Sequence, residues 1–464
     1  MITIARPALR NCRAAIPANS IATVFSLEHT VSRYLEFECV LARVQAELGL
    51  IPQQDAMDIC DCLSKASVDY AALSSATEKS GYPIAPLIRQ LTPQCGAAGR
   101  SLHWGATTQD LLITVRAQQV NASLRLMAPQ LVRLGEQVAS LASMYRASPM
   151  PSRCFGGHAG ITTFGLRCST WLSSLARTAN RLNDLLQRPM EGELFGASGT
   201  LMAMGDAGLQ VQLRVLGRLG LQARYASASS ARDACLDVAL YLALTASVLA
   251  KIAQDVAELS STEIGELAEP ETGGRDTSST LPHKANPILS WLVMNGAEQV
   301  QAQVSLVLRS SRQNLDRSGQ GMVEHAALPA AFIQMEMCLR TTRQLLEGLR
   351  VDTRRMRSNC DLTEGLALSE RIQMALAPHV GRLAAHDLLH AICRQVRDCG
   401  ESFAERLMKH DEVRAHLSEN TLRDLLDPSC NIGLAPEIVD RTVAQASDDF
   451  ARLAQRTGAY DETQ

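Results

Sequence analysis

Between Tyr225 and Glu263 the chain contains neither glycine nor proline, and Leu236, Leu240, Leu244, Val248, Ile252 and Val256 recur at every fourth position. That period belongs to one long helix. From Ala234 to Ala250 the other faces are apolar too, with Asp237 the only charge. A helix apolar all round must be surrounded by other helices, so the segment dictates a bundle. Comparable helical patterns run over about 110–145, 163–186, 288–315 and 332–349, with few alternating β-branched runs. The expected fold is all-α, built on a central bundle of five long helices. The segments on either side, broken by Pro and Gly, read as helical caps. This divides the chain into an N-terminal helical domain over 1–110, the bundle over 111–351 and a C-terminal helical domain over 352–464.

With 464 residues the chain can bury an ample core without disulfides or a structural metal. Its 45 basic and 48 acidic residues give a net charge of −3, no footprint for nucleic acid or for a charged membrane surface. The longest strongly apolar run, Val238 to Ala250, ends at Lys251, short of the ~20 residues of a membrane span. The 13 cysteines include no C-x-x-C pair and read as mostly buried thiols of a cytoplasmic, reducing compartment. Arg6, Arg10 and Arg13 sit among small and apolar residues in an N-terminal stretch that reads as a flexible arm. His103, His158, His283 and His325 are too dispersed to imply a metal, and no dinucleotide or Walker fingerprint occurs. No cofactor is expected.

Chemistry belongs where the helices are interrupted. The most informative interruption is the loop over 273–287: two glycines, Arg275 and Asp276, the hydroxyls Thr277, Ser278, Ser279 and Thr280, then His283, Lys284, Asn286 and Pro287. Pro287 suits the first turn of the next helix with Asn286 as its N-cap. Free amides at that helix end, beside Lys284, would make an anion site. Lysine is scarce, five residues against 40 arginines, which singles out Lys284. A serine beside an anion site suits removal of a proton α to a carboxylate, because the aci-carboxylate formed carries a second negative charge that Lys284 and the helix end would hold. An exposed polar loop between helices is the competing reading of the same composition.

The string Ser278 to Pro287, SSTLPHKANP, closely resembles the S-S-x-M-P-x-K-x-N-P signature of the fumarase/aspartase superfamily. Two further strings match in the expected order, HWGATTQD at His103 and RCFGGHAGITTFG at Arg153, and the resemblance extends over LFGASGT at Leu194 and Thr262 to Glu266. Within the superfamily the chain looks most like the carboxymuconate cycloisomerase branch, which SGYPIAPL at Ser80 also resembles. The resemblance implies a three-domain helical fold, a homotetramer, and active sites each built from three subunits. It makes Ser278 the catalytic base with Ser279 beside it. Lys284, Asn286, Thr107 and Thr108 would bind substrate carboxylates, His103 would contact substrate, and Arg153 and Arg317 would lie near the site.

Some positions depart from the pattern. Phe155 stands where adenylosuccinate lyases carry their proton-donating histidine, which the cycloisomerase branch also lacks; His158, three residues on, is the candidate acid, or else a structural histidine. Cys154, Gly157 and Ile161 are also unusual, Thr277 replaces a usual Gly, and Ala285 replaces a common arginine. The resulting expectation is a cofactor-independent enzyme acting on a small polycarboxylate, cycloisomerase-like and forming a lactone. The alternatives are a β-eliminating lyase that releases fumarate from a substituted succinate, for example a nitrosuccinate, or an inactive structural family member.

Overall fold

The structure, a computed structural model, describes residues 20–271, 281, 284–312, 315–316 and 319–457. The expected N-terminal arm lies outside the described residues. After a short turn of helix at Ile21–Val24 come α1 (Leu27–Glu47) and α2 (Gln53–Ser64), followed after shorter helices by α3 (Thr108–Met144), a hairpin of β1 (Pro149–Cys154) and β2 (Gly157–Thr163), and α4 (Phe164–Gln187). Next come α5 (Asp233–Leu259), β3 (Leu267–Ala268), α6 (Ile288–Ser310), α7 (Met322–Glu347), β4 (Arg350–Val351) and α8 (Thr353–Asn359). Short C-terminal helices precede the last long one, α9 (Ala435–Thr457). The fold is all-α apart from small two-stranded pairs.

Helices α3, α4, α5, α6 and α7 form one continuous core that includes Leu124, Trp171, Leu175, Leu242, Leu249, Val300 and Phe332. Helix α9 joins it: Val439, Ala446, Phe450 and Leu453 lie in that core, and the helix packs along α3 and α4. The bundle therefore holds a sixth long helix, from a stretch assigned by sequence to the C-terminal domain. Its apolar residues occupy one stripe, and a stripe does not reveal which partner covers it. A second core around Phe37, Leu41, Ile59 and Leu87 takes in Leu111, Leu112 and Val115 from the start of α3 and Val211 and Val215 further on. A third, around Ile372, Leu389 and Phe403, is purely C-terminal.

Two helix starts differ from the sequence reading for identifiable reasons. Helix α5 begins at Asp233, not Tyr225. The buried Glu193 carboxylate accepts from the Ala228 amide and the Ser227 and Ser229 hydroxyls, holding the preceding segment out of the helix. Helix α7 begins ten residues before Phe332 and carries Pro329 inside it. A proline cannot donate to the carbonyl four residues back. Here that carbonyl belongs to His325, and the Arg116 guanidinium donates to it at 3.2 Å.

Helix α5 is long and apolar enough, by length and composition, to cross a membrane. In this fold it packs against α4, α6 and α7 and supplies core residues along its length. Leu240 and Leu244 on its outer side stay exposed. Cys39 and Cys60 are joined in a disulfide that ties α1 to α2, so these two are not the free thiols expected from sequence. Of the ten free cysteines described, four are buried.

Candidate active site

The start of α3 gathers one group of candidate residues. Asp110, in the first turn, is buried and accepts the amides of Thr107 at 2.9 Å, Phe195 at 2.9 Å and Gly196 at 3.2 Å. One carboxylate thus starts the helix and draws the 194–196 segment onto it. Burial pushes the Asp110 carboxyl up to about 6, against the pull of those amides. Thr107 and Thr108 sit half-buried at this helix end. His103 precedes them in a left-handed backbone conformation, φ +60°, uncommon for a residue with a side chain. Its Nδ1 lies 2.5 Å from Glu38 Oε1, and its backbone amide donates to Glu38 Oε2 at 3.1 Å.

The β1–β2 hairpin carries a second group. Its tight turn places Phe155 (φ +50°) and Gly156 (φ +82°) in the left-handed region that a two-residue hairpin turn demands. The Phe155 side chain is fully exposed at the tip. Arg153, expected to lie near substrate, gives both terminal nitrogens to Glu266, Nη1 at 3.0 Å and Nη2 at 2.5 Å. Glu266 is completely buried and also accepts from Asn359 Nδ2 at 2.8 Å. The guanidinium is therefore committed to a carboxylate of its own chain, fastening the hairpin to the bundle. His158 is half-buried, and its Nδ1 is sealed without a partner. Burial, reinforced by the Arg153 charge and opposed by Glu266, lowers its pKa. That favours the neutral ring, not the protonated form a general acid requires. A cavity of about 400 Å³ opens here, lined among others by Arg153, Phe155, His158, Glu258, Glu263 and Asn359.

Of the signature loop, residues 281 and 284–287 lie within the described residues. Ser278, Ser279 and Arg317 lie outside the described residues, as do Arg275, Thr277 and His283. Lys284 is exposed, its amide donating to Leu281 O at 3.0 Å. Helix α6 starts at Ile288 with Pro287 in the cap position, and Asn286 makes no side-chain cap. The first-turn amides are not free. Glu269 accepts from the Leu289 amide at 2.8 Å, the Ser290 amide at 2.7 Å and the Ser290 hydroxyl at 2.6 Å. The expected anion site at this helix end is thus filled by the protein's own carboxylate. Nothing local announces this, because Glu269 stands some twenty positions upstream; the partnerships of Glu266 with Arg153 and Asn359, and of Glu38 with His103, escape sequence reading for the same reason.

In one chain these groups cannot meet. Helix α3 has 37 residues, about 55 Å at 1.5 Å per residue. His103, Thr107 and Thr108 stand at its start, whereas the hairpin with Arg153 and His158 follows its end. The start of α6 belongs to the hairpin end, because Glu269, its cap, directly follows β3, and the segment before β3 holds Glu266 against Arg153. Lys284 and Asn286 therefore lie at the hairpin end of the bundle, far from His103.

A lyase family model matches residues 13–302, and a model of the adenylosuccinate lyase C-terminus matches 365–442. The chain is 34% identical to a 3-carboxy-cis,cis-muconate cycloisomerase of Pseudomonas aeruginosa, over 95% of this chain and 97% of that protein. It is 34% identical to a nitrosuccinate lyase of Streptomyces davaonensis, over 88% and 89% respectively. The crystal structure of the 3-carboxy-cis,cis-muconate lactonizing enzyme from Pseudomonas putida superposes with a TM-score of 0.86 at 31% identity, covering 92% of this chain and 97% of that one.

Proposed function

This chain belongs to the lyase family of the fumarase/aspartase superfamily, and on that premise we propose that it is a cycloisomerase closing a lactone on a carboxymuconate-like polycarboxylate. The observation that carries this choice is Phe155. It stands exposed on the hairpin tip beside the 400 Å³ cavity, where a lyase expelling an amine would need an acid. A side chain without a dissociable proton suits a leaving group that departs as a stable anion. A carboxylate, with a pKa of about 4, needs no proton to leave at neutral pH.

In the lactone-forming direction a substrate carboxylate oxygen bonds to one alkene carbon. The π electrons shift to the neighbouring carbon, beside the second carboxylate, giving an aci-carboxylate. The Ser278 hydroxyl protonates that carbon, and water restores the serine proton. Lys284, Asn286, Thr107, Thr108 and His103 hold the carboxylates, and the charge developing on the aci-carboxylate is where such donors accelerate the reaction. In reverse Ser278 is the base. The nitrosuccinate reading meets the same criterion, because nitrite also leaves as a stable anion, and a relative with that name supports it.

The site is assembled between copies of the chain in a homotetramer. Two observations support this: the separation of about 55 Å between the His103 and hairpin ends, and the exposed apolar side chains Leu240, Leu244, Trp291, Leu292 and Leu306 on α5 and α6. Purified protein incubated with 3-carboxy-cis,cis-muconate should remove the diene absorbance, and Ser278→Ala should abolish this. Fumarate and nitrite from nitrosuccinate, with carboxymuconate untouched, would select the lyase reading instead. Mixing inactive Ser278→Ala and His103→Asn proteins should restore part of the activity, which sites confined to single subunits would not allow.

A further inference from the structure

We propose that Glu38 is a positioning residue for the reaction: it grips His103 at two points and presents the remaining ring nitrogen, Nε2, as a fixed cationic donor to a substrate carboxylate. The proposal rests on the polycarboxylate reading above. Glu38 lies on α1, 65 positions before His103, with its side chain 1% exposed against 19% for His103. One carboxylate oxygen holds Nδ1 and the other holds the backbone amide of the same residue. Both contacts are made by a residue whose backbone is left-handed, φ +60°. Trp104, next along, is fixed as well, its carbonyl accepting from Gln45 of α1 at 2.7 Å.

Charge points the same way. A buried carboxylate is stabilised by hydrogen bonds or by a counter-charge. Among the described residues Glu38 pairs with no lysine or arginine, and His103 is its ion-pair partner. Burial alone would lower the His103 pKa, but the charge and hydrogen bond of Glu38 on α1, with the charge of Asp110 on α3 behind them, outweigh it and raise it. With Nδ1 engaged, Nε2 is the donor left over. It makes no bond within the described residues. Thr107 and Thr108 follow four and five positions on, at the start of α3, so on the polycarboxylate reading the same end of that helix offers hydroxyls and a cation to a carboxylate.

Histidine-selective 15N NMR tests this, with the His103 signals identified by their loss in His103→Asn. In the wild type His103 should titrate above about 6.5, and in Glu38→Gln below it. Adding tricarballylate, an unreactive tricarboxylate, should shift the His103 Nε2 resonance in the wild type and much less in Glu38→Gln. With carboxymuconate as substrate, Glu38→Gln should raise KM about tenfold or more with a smaller change in kcat. It should add nothing further on a His103→Asn background. A purely structural Glu38 would lower stability and leave the His103 titration and the KM coupling unchanged. The proposal is overturned if wild-type His103 titrates at or below the ordinary value, or if tricarballylate leaves Nε2 unmoved. Both can be read on the wild type even if Glu38→Gln fails to fold. Absence of carboxymuconate turnover by the wild type would remove the cycloisomerase reading, while the NMR arms would still decide the role of Glu38.

Discussion

Glu269 holds Ser290 twice, accepting from its amide at 2.7 Å and from its hydroxyl at 2.6 Å, and so caps α6 from outside the helix. A carboxylate on first-turn amides satisfies orphan donors and complements the helix dipole. Because Lys284 and Asn286 lead directly into this turn, their placement depends on it. Glu269→Ala should destabilise the protein by about 1–2 kcal/mol, read as a lower midpoint in urea denaturation. It should also lower turnover by more than that stability loss explains. Unchanged stability would show that the cap is dispensable.

Arg153 and Glu266 form a buried pair whose partners depend on each other. Removing one charge leaves the other without compensation, so Arg153→Met should cost about 3–5 kcal/mol. The double variant Arg153→Met, Glu266→Met should recover much of the loss, because two apolar side chains leave no buried ion. Thermal unfolding of the four proteins in the cycle measures the coupling. If the single variant costs no more than an exposed ion pair, ~1 kcal/mol or less, the guanidinium is free for substrate after all.

Asp110 links stability to pH. Its carboxyl is pushed up to about 6 by burial, above an unfolded value of about 3.9. A raised pKa means that its contribution is complete below the unfolded value and is lost as pH rises through about 6. Asp110→Asn removes this titration, so the loss of stability between pH of about 4 and about 7 should be smaller in the variant than in the wild type. The variant should also lose about 1–3 kcal/mol overall, because an amide cannot accept from all three backbone donors. Melting temperatures across that pH range decide it, and parallel pH profiles would count against Asp110 as the titrating group.

Phe155 carries a conformational cost at the rim of the cavity. An L-residue in the left-handed region costs roughly 1–2 kcal/mol, and the exposed ring gains little packing in return. Phe155→Gly should therefore stabilise the protein by about 1 kcal/mol while impairing turnover of carboxymuconate. Denaturation midpoints and steady-state kinetics on the same preparation test both halves. Greater stability with full activity would mean that the ring plays no part at the site.

Much of the architecture was legible in the chain because it is encoded locally. Leu236 to Val256 repeats at a helical period, so a long buried helix follows from the spacing alone. The string from Ser278 to Pro287 named a family for the same reason: its residues are consecutive. The ends of elements were less legible. Helix α7 starts ten residues before Phe332 and runs through Pro329, whose unpaired carbonyl partner at His325 is taken by Arg116, more than two hundred positions away. Tyr225 to Arg232 looked helical until Glu193 supplied competing hydrogen bonds.

By itself the sequence determined the helical class, the long bundle, the family and the residue types available for chemistry, all carried by neighbours along the chain. The tertiary structure decided which of those residues are already engaged. Arg153 faces Glu266, the first turn of α6 faces Glu269, and His103 faces Glu38. It also set the His103 and hairpin ends about 55 Å apart along α3. The physical reason is range. Helical periodicity acts over a few residues, whereas ion pairs and caps join groups whose separation in sequence carries no information about their distance in space.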